Sequence, residues 1–153
     1  MPDPGLLAAA RRLSGLAAHG SGDNAGAIEA FRHSLRSARQ RGDRWAEAQA
    51  LAHIGCALAS LDYLGEAREQ LRQSIAVRDG LGQRGPSHMI RTVLAMVTLK
   101  LGDAAEAREI LAAAIDIASG AGDMRVLACL DVAACVAAMV ARPCTDRPAL
   151  SCD

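Results

Sequence analysis

Aromatic side chains are nearly absent, with one Phe, one Trp and one Tyr in 153 residues. Base stacking on interleaved aromatics, as single-stranded nucleic-acid binders use, has little to build on. Net charge is missing too: 17 basic residues meet 17 acidic ones. That removes the broad electrostatic case for nucleic acid or an anionic membrane as an obligatory partner. Lysine is reduced to Lys100 against 16 arginines, which reads as genomic bias. The five cysteines (56, 129, 135, 144 and 152) form no C-x-x-C pair. Their odd number and irregular spacing suit neither a disulfide framework nor a zinc site. Three of them lie in apolar helical segments, where Cys behaves as a small hydrophobe, so a reduced, cytoplasmic setting is expected. The start, Met-Pro-Asp-Pro-Gly, has no basic region and no apolar run of the signal-peptide kind. The most apolar stretch, 124–141, is broken by Arg125 and Asp131 and reads as a core helix; no membrane association is expected. No P-loop, G-x-G-x-x-G or G-x-S-x-G motif occurs, so the glycines do not cradle phosphate and no cofactor is implied.

What is present is alanine, about a fifth of a chain that is 51% hydrophobic. An alanine-rich, β-branch-poor composition favours closely packed helices over sheets, and the length suits one domain. The organising feature is an internal repeat. Glu-Ala-Arg-Glu occurs at 66–69 and again at 106–109, an offset of 40, and the same step backwards reaches Ala27-Ile28-Glu29. Columns then align: Ala27/Ala67/Ala107, Phe31/Leu71/Leu111, Leu35/Ile75/Ile115, the small Ser34/Ser74/Ala114, and a terminating Gly42/Gly82/Gly122. Apolar residues at i, i+4 and i+8 mark one helix face, and the glycine marks its stop. A preceding helix carries Gly15, Gly55 or Ala95, each 12 residues before the alanine column.

Turn chemistry punctuates the pattern. Gly22-Asp23, Leu61-Asp62 and Gly102-Asp103 each end one helix and offer an N-cap for the next. Asp103 and Glu106 have capping-box spacing. Gly42-Asp43 and Gly122-Asp123 serve between pairs, while Gly82 to Ser87, with Pro86, makes a looser turn. The expectation is an all-α solenoid of antiparallel helix pairs with about seven helices, over 5–20, 24–41, 44–60, 63–81, 87–101, 104–120 and 124–141. The repeats span 5–42, 43–82 and 83–122, followed by an unpaired helix at 123–141, the whole forming a repeat domain over 1–141. The proline-containing tail, 142–153, has no periodicity and is expected to be disordered.

These columns resemble the tetratricopeptide repeat (TPR), a helix–turn–helix unit stacked into a superhelix. Ser14-Gly15, Ile54-Gly55, Leu94-Ala95 and Ala134-Cys135 take the place of the family's Leu-Gly pair. Ala27, Ala67 and Ala107 take its small Ala, with Phe31, Leu71 and Leu111 as the large residue after it. The period departs from the usual ~34, no proline closes a repeat, and Trp45 is not at the family's Trp position. The long form is similar to repeats in large bacterial regulators, including LuxR-class and related signalling ATPases. HEAT-type repeats compete on period alone.

The resemblance implies a non-catalytic protein-interaction module binding a protein or peptide on a concave surface lined by first helices. By register those positions are Gln49, Ala52, Cys56, Ala59 and Ser60 in repeat two, and Met89, Thr92, Met96, Leu99 and Lys100 in repeat three. The last helix adds Cys129, Val132, Val136 and Met139. The family's chaperone-tail clamp of Lys and Asn residues is absent, because Lys100 and Asn24 stand alone, and an amphipathic helix or apolar peptide fits better. The alternative is a sensor segment of a bacterial transcriptional regulator whose ATPase and DNA-binding parts lie outside this chain. A Walker motif upstream, or an adjoining helix-turn-helix, distinguishes the two.

Catalytic chemistry finds little support. His53 and Cys56, at i and i+3, raise a base–nucleophile dyad, but no orienting group accompanies them and an incidental pair is the simpler reading. His33, four residues after Glu29, reads as a surface helix pair. Arg32, Arg36, Arg39, Arg41 and Arg44 offer an anion-binding patch on one reading and a solvated outer face on the other, favoured, one. Finally, the 124–141 helix is apolar on every side from Val132 onward. Either it self-associates through Val132, Val136, Met139 and Val140, or the chain belongs to a longer repeat array, unless the tail folds over it.

Overall fold

The computed structural model describes residues 4–82 and 87–121. Within them the chain is all helical: α1 (Pro4–Gly20), α2 (Asn24–Arg41), α3 (Arg44–Ser60), α4 (Leu64–Gly80), α5 (His88–Lys100) and α6 (Ala104–Ala121). Each helix packs chiefly on its neighbours in sequence, which is the mark of a helical repeat. The six helices match the expected ranges to within a residue at each end. The expected seventh helix, its association face and the 142–153 tail lie outside the described residues, as do the turn residues 83–86.

The repeat columns are the core. Ala27, Ala67 and Ala107 have no exposure, and Phe31, Leu71 and Leu111 are at most 3% exposed. Each such large side chain contributes about 1.5–3 kcal/mol by leaving water. The small column is buried as well, and Ser74 Oγ donates to the Ala48 carbonyl at 2.7 Å, tying α4 to α3 where two helices lie close. One cluster, centred on Phe31, Ala52, Ile54, Leu71 and Leu94, runs through α2 to α5. Ala95, Leu111, Ala114 and Ala118 form a second between α5 and α6.

Gly15 and Gly55 are required by close approach. A Cβ on Gly55 would stand 2.7 Å from Leu71 Cγ and 3.3 Å from the Ala67 carbonyl oxygen. At Gly15 it would stand 2.6 Å from Phe31 Cε1. The glycine therefore faces the large residue of the next helix first, and the alanine column's backbone second.

Caps form as expected at three joints. Asp23, Asp43 and Asp103 accept from the N–H groups of Gly26, Ala46 and Glu106 at 2.9, 3.0 and 3.0 Å. Gly42, at φ 67°, ends α2 in the left-handed region, with the Asp43 N–H returning to the Ala38 carbonyl at 2.9 Å. Two expectations need correction. Asp62 does not cap α4: it adopts φ 65°, the role that Gly22 and Gly102 play at φ 86° and 93°. Tyr63 occupies the cap and makes no side-chain cap bond. The register explains this, since 40-residue steps align Asp62 with the glycines and Tyr63 with Asp23 and Asp103. The second correction concerns Glu106, whose carboxylate pairs with Arg72 on α4, joining successive repeats.

Candidate functional site: a groove along the first helices

The first helix of each pair, α1, α3 and α5, lines one face of the molecule, and three adjoining hollows run across it. The largest, about 370 Å³, lies between α3 and α5 and is lined by Trp45, Gln49, Ala52, His53, Cys56, Arg78, Met89, Ile90 and Val93. A second, of about 300 Å³, shares Cys56 and Val93 with it and adds His19, Ala59, Ser60, Leu64, Met96, Val97 and Lys100. A third, of about 230 Å³, shares Trp45 and Gln49 and extends to Ala9, Arg12, Ser34, Arg41, Asp43 and Ala46. Two exposed methionines, Met89 at 68% and Met96 at 58%, stand in this face, as does the half-exposed Trp45. Contiguous exposed apolar side chains at a concavity characterise binding surfaces.

The helical register thus gathers most of the expected groove. Gln49, Ala52, Cys56 and Met89 share one hollow, and Cys56, Ala59, Ser60, Met96 and Lys100 the next. Two expected positions line none of the hollows. Leu99 packs with Ala95 and the α6 core cluster, so its side chain serves the helix pair. Thr92 is partly buried, and its hydroxyl donates to the His88 carbonyl at 3.0 Å on its own helix. Both sit at the edge of the register stripe, where a small rotation of α5 about its axis decides which side a residue serves. The expected Cys129, Val132, Val136 and Met139 lie outside the described residues.

Register reasoning missed Trp45, Ile90, Val93 and Arg78. Ile90 and Val93 lie on α5 one position off the assumed stripe, and Trp45 continues the α3 stripe one turn before Gln49, where its assumed start fell. Arg78 comes from a second helix, α4, and reaches the groove because its side chain is long. Arg12 on α1 donates to Gln49 Oε1 at 2.9 Å and fixes that amide at the α1–α3 junction. Lys100 pairs with Asp62 at 3.3 Å, both well exposed, so the pair contributes little.

His53 and Cys56 share a hollow without forming a reactive pair. The imidazole stacks on Phe31 with ring centroids 5.0 Å apart. Burial, and then the charges of Arg12, Arg78 and His19, hold its pKa below 6.5. Burial alone pushes the Cys56 thiol up, away from the nucleophilic thiolate. Among the described residues no group of three or more His, Cys, Asp or Glu side chains is placed to hold a metal ion. Nor is any described helix long and apolar enough to cross a membrane.

The arginine cluster at the α2–α3 joint is mostly paired. Arg39 and Arg44 converge on the buried Glu47 carboxylate at 3.0 and 2.6 Å. Arg41 lies 3.7 Å from Asp43, and Arg32 lies 3.2 Å from Glu29. The expected surface pairing of His33 with Glu29 is replaced, since Arg11 on α1 donates to the His33 ring. The cluster is therefore a joint between repeats, its charge partly neutralised by Glu29, Asp43 and Glu47.

No family model matches the chain, and no curated protein matches it. Its fold is similar to that in the crystal structure of BtubC (BKLC) from P. vanneervenii, with a TM-score of 0.69 over 99% of this chain and 72% of that chain, at 16% sequence identity. At that identity the likeness is one of fold.

Proposed function

We propose that the protein is a TPR-like interaction module that holds an extended or helical peptide segment of a protein partner in the groove along α1, α3 and α5. The observation that carries this reading is the run of three hollows sharing residues end to end, with Met89 and Met96 exposed in it. Apolar side chains left in water at a preformed concavity offer the burial that drives peptide association. Methionine suits such a surface, because its flexible thioether repacks around different side chains. The repeat explains how a small-residue core can build the groove: Gly15, Gly55 and Ala95 let each second helix pack close behind its first helix.

The test is a peptide selection by phage display on the intact protein, with counter-selection on Met89→Glu/Met96→Glu. Enriched peptides that bind the wild type and lose at least tenfold in affinity on the double variant support the groove. Peptides that bind both proteins equally place the interaction elsewhere and overturn the reading.

A further inference from the structure

Arg78 stands where the repeat calls for alanine. Forty residues to either side, the same column holds Ala38 and Ala118, both with no exposure. The arginine is nearly as buried, at 6% exposure, and its Nε has no hydrogen-bond partner. Among the described residues no carboxylate pairs with it. The nearest acid in sequence, Asp79, is engaged by Arg91 at 2.6 Å, although its Oδ1 is buried without a partner. Glu47 is held by Arg39 and Arg44. A buried cation without a counter-charge is destabilising, and alanine in the column shows that the helix packing does not need it.

Resting on the groove reading above, we propose that Arg78 anchors a carboxylate carried by an apolar peptide segment in the hollow between α3 and α5. Arg78 lines that hollow beside Trp45, Met89, Ile90 and Val93, and no Asp or Glu lines it. Its other titratable neighbours there are His53 and Cys56, neither of which supplies negative charge at neutral pH. A volume of about 370 Å³ takes a carboxylate side chain together with an apolar neighbour. The hollow opens at both ends into its neighbours, through Trp45 and Gln49 on one side and Cys56 and Val93 on the other. An occupant can thus continue in both directions, which fits a chain and not a free small acid. The guanidinium fork supplies the paired donors that a carboxylate needs, and partial desolvation strengthens the contact.

The experiment uses the full chain and three N-terminally capped pentapeptide mixtures whose variable positions are Leu, Met, Val and Ala. One has a central Glu with an amidated end, one a central Gln with an amidated end, and one a central Gln with a free C-terminal carboxylate. Binding is read from the methyl NMR signals of Met89 and Met96 in the wild type, Arg78→Met and Arg78→Ala. The expected result is about a tenfold preference for a carboxylate-bearing mixture over the neutral one, since a charged hydrogen bond discriminates to that degree. Both variants lose the preference, binding the acidic and neutral mixtures alike, and melt no lower than the wild type. Preference for the free C-terminus over the central Glu assigns the carboxylate to a chain end; the reverse assigns it to a side chain. Equal binding of all three mixtures by the wild type overturns the anchor while leaving the groove standing. Binding of none overturns both. Variants that melt well below the wild type, with the preference intact in either, make Arg78 a packing residue and refute the proposal.

Discussion

Replacing Gly55 by alanine adds one carbon at the closest helix approach inside repeat two. The new Cβ would meet Leu71 Cγ at 2.7 Å and Cδ2 at 2.9 Å, with the Ala67 carbonyl oxygen at 3.3 Å behind them. Contact with a branch point and with backbone is harder to relieve than contact with a flexible tip. Leu71, moreover, has no exposure. Overpacking of this kind costs roughly 1–3 kcal/mol. Alanine in a helix interior recovers about 1 kcal/mol of propensity, so the net loss expected is about 0–2 kcal/mol. Gly65→Ala is the control, because nothing lies within 4 Å of a Cβ there and it should be neutral or slightly stabilising. Leu71→Ala alone should cost about 2–5 kcal/mol through the cavity it leaves. In the Gly55→Ala/Leu71→Ala double variant the clashing atoms are gone, so the two changes should couple favourably by about 1–3 kcal/mol. Gly55→Leu, with more carbons in the same place, should be among the worst single substitutions. Urea denaturation followed by far-UV circular dichroism gives all of these values. A Gly55→Ala protein as stable as Gly65→Ala, or additive with Leu71→Ala, would refute the packing argument.

Tyr63→Asp should stabilise the protein by about 1 kcal/mol, because it restores the cap that Asp23 and Asp103 supply and removes an exposed ring; chemical denaturation reads the gain. Asp62→Gly should stabilise it by up to about 1 kcal/mol, since the position is left-handed and the Lys100 pair it gives up is exposed; an unchanged or lower urea midpoint counts against this. The His53 pKa is lowered on folding, so in the window just below 6.5 the unfolded chain binds the extra proton. Stability is then fully present above about pH 6.5 and declines as pH falls toward the folded value; His53→Leu should shrink the difference between midpoints at about pH 8 and about pH 5. Arg78→Met should raise the His53 pKa, visible in ring-proton NMR titration, because one of the charges that depresses it is gone.

Helix order and core were legible because both follow from local rules that repeat. An apolar residue every fourth position, a glycine stop and an aspartate cap need no knowledge of distant neighbours. Phe31, Leu71 and Leu111 were found in this way, and so were Asp23, Asp43 and Asp103. The α3–α4 turn was misread because Asp62 looks like a cap in isolation; only the column containing Gly22 and Gly102 shows it filling a left-handed position. The groove was legible in outline for the same reason, through Gln49, Cys56, Met89 and Met96. Its edges were not, because assigning Leu99 to a core and Val93 to a hollow takes the rotation of each helix about its axis, which a period of 40 leaves open. Pairings such as Arg11 with His33 and Arg39 with Glu47 depend on side-chain reach across helices, and spacing along one helix says nothing about that.

In a repeat protein, columns record what stacking demands, so a break in a column marks a position under some other demand. The two breaks at the α3–α4 turn cost stability and have simple repairs, glycine at 62 and aspartate at 63. The break at 78 is of a different kind. A surface turn tolerates a poor cap for a fraction of its stability, whereas a charge placed in a buried alanine column opposes folding unless something neutralises it. The same side chain enters the largest hollow of the groove, at the joint between repeats two and three. Alanine at that position would leave a depression lined by no Arg, Lys, Asp or Glu, able to take many side chains with little discrimination by charge. Arginine makes the depression selective, since an apolar segment without a negative group leaves the buried charge unsatisfied, while one with a carboxylate compensates it. On the anchor we propose, the stability lost in the free protein is converted into discrimination among partners, the general way in which a buried polar group confers specificity.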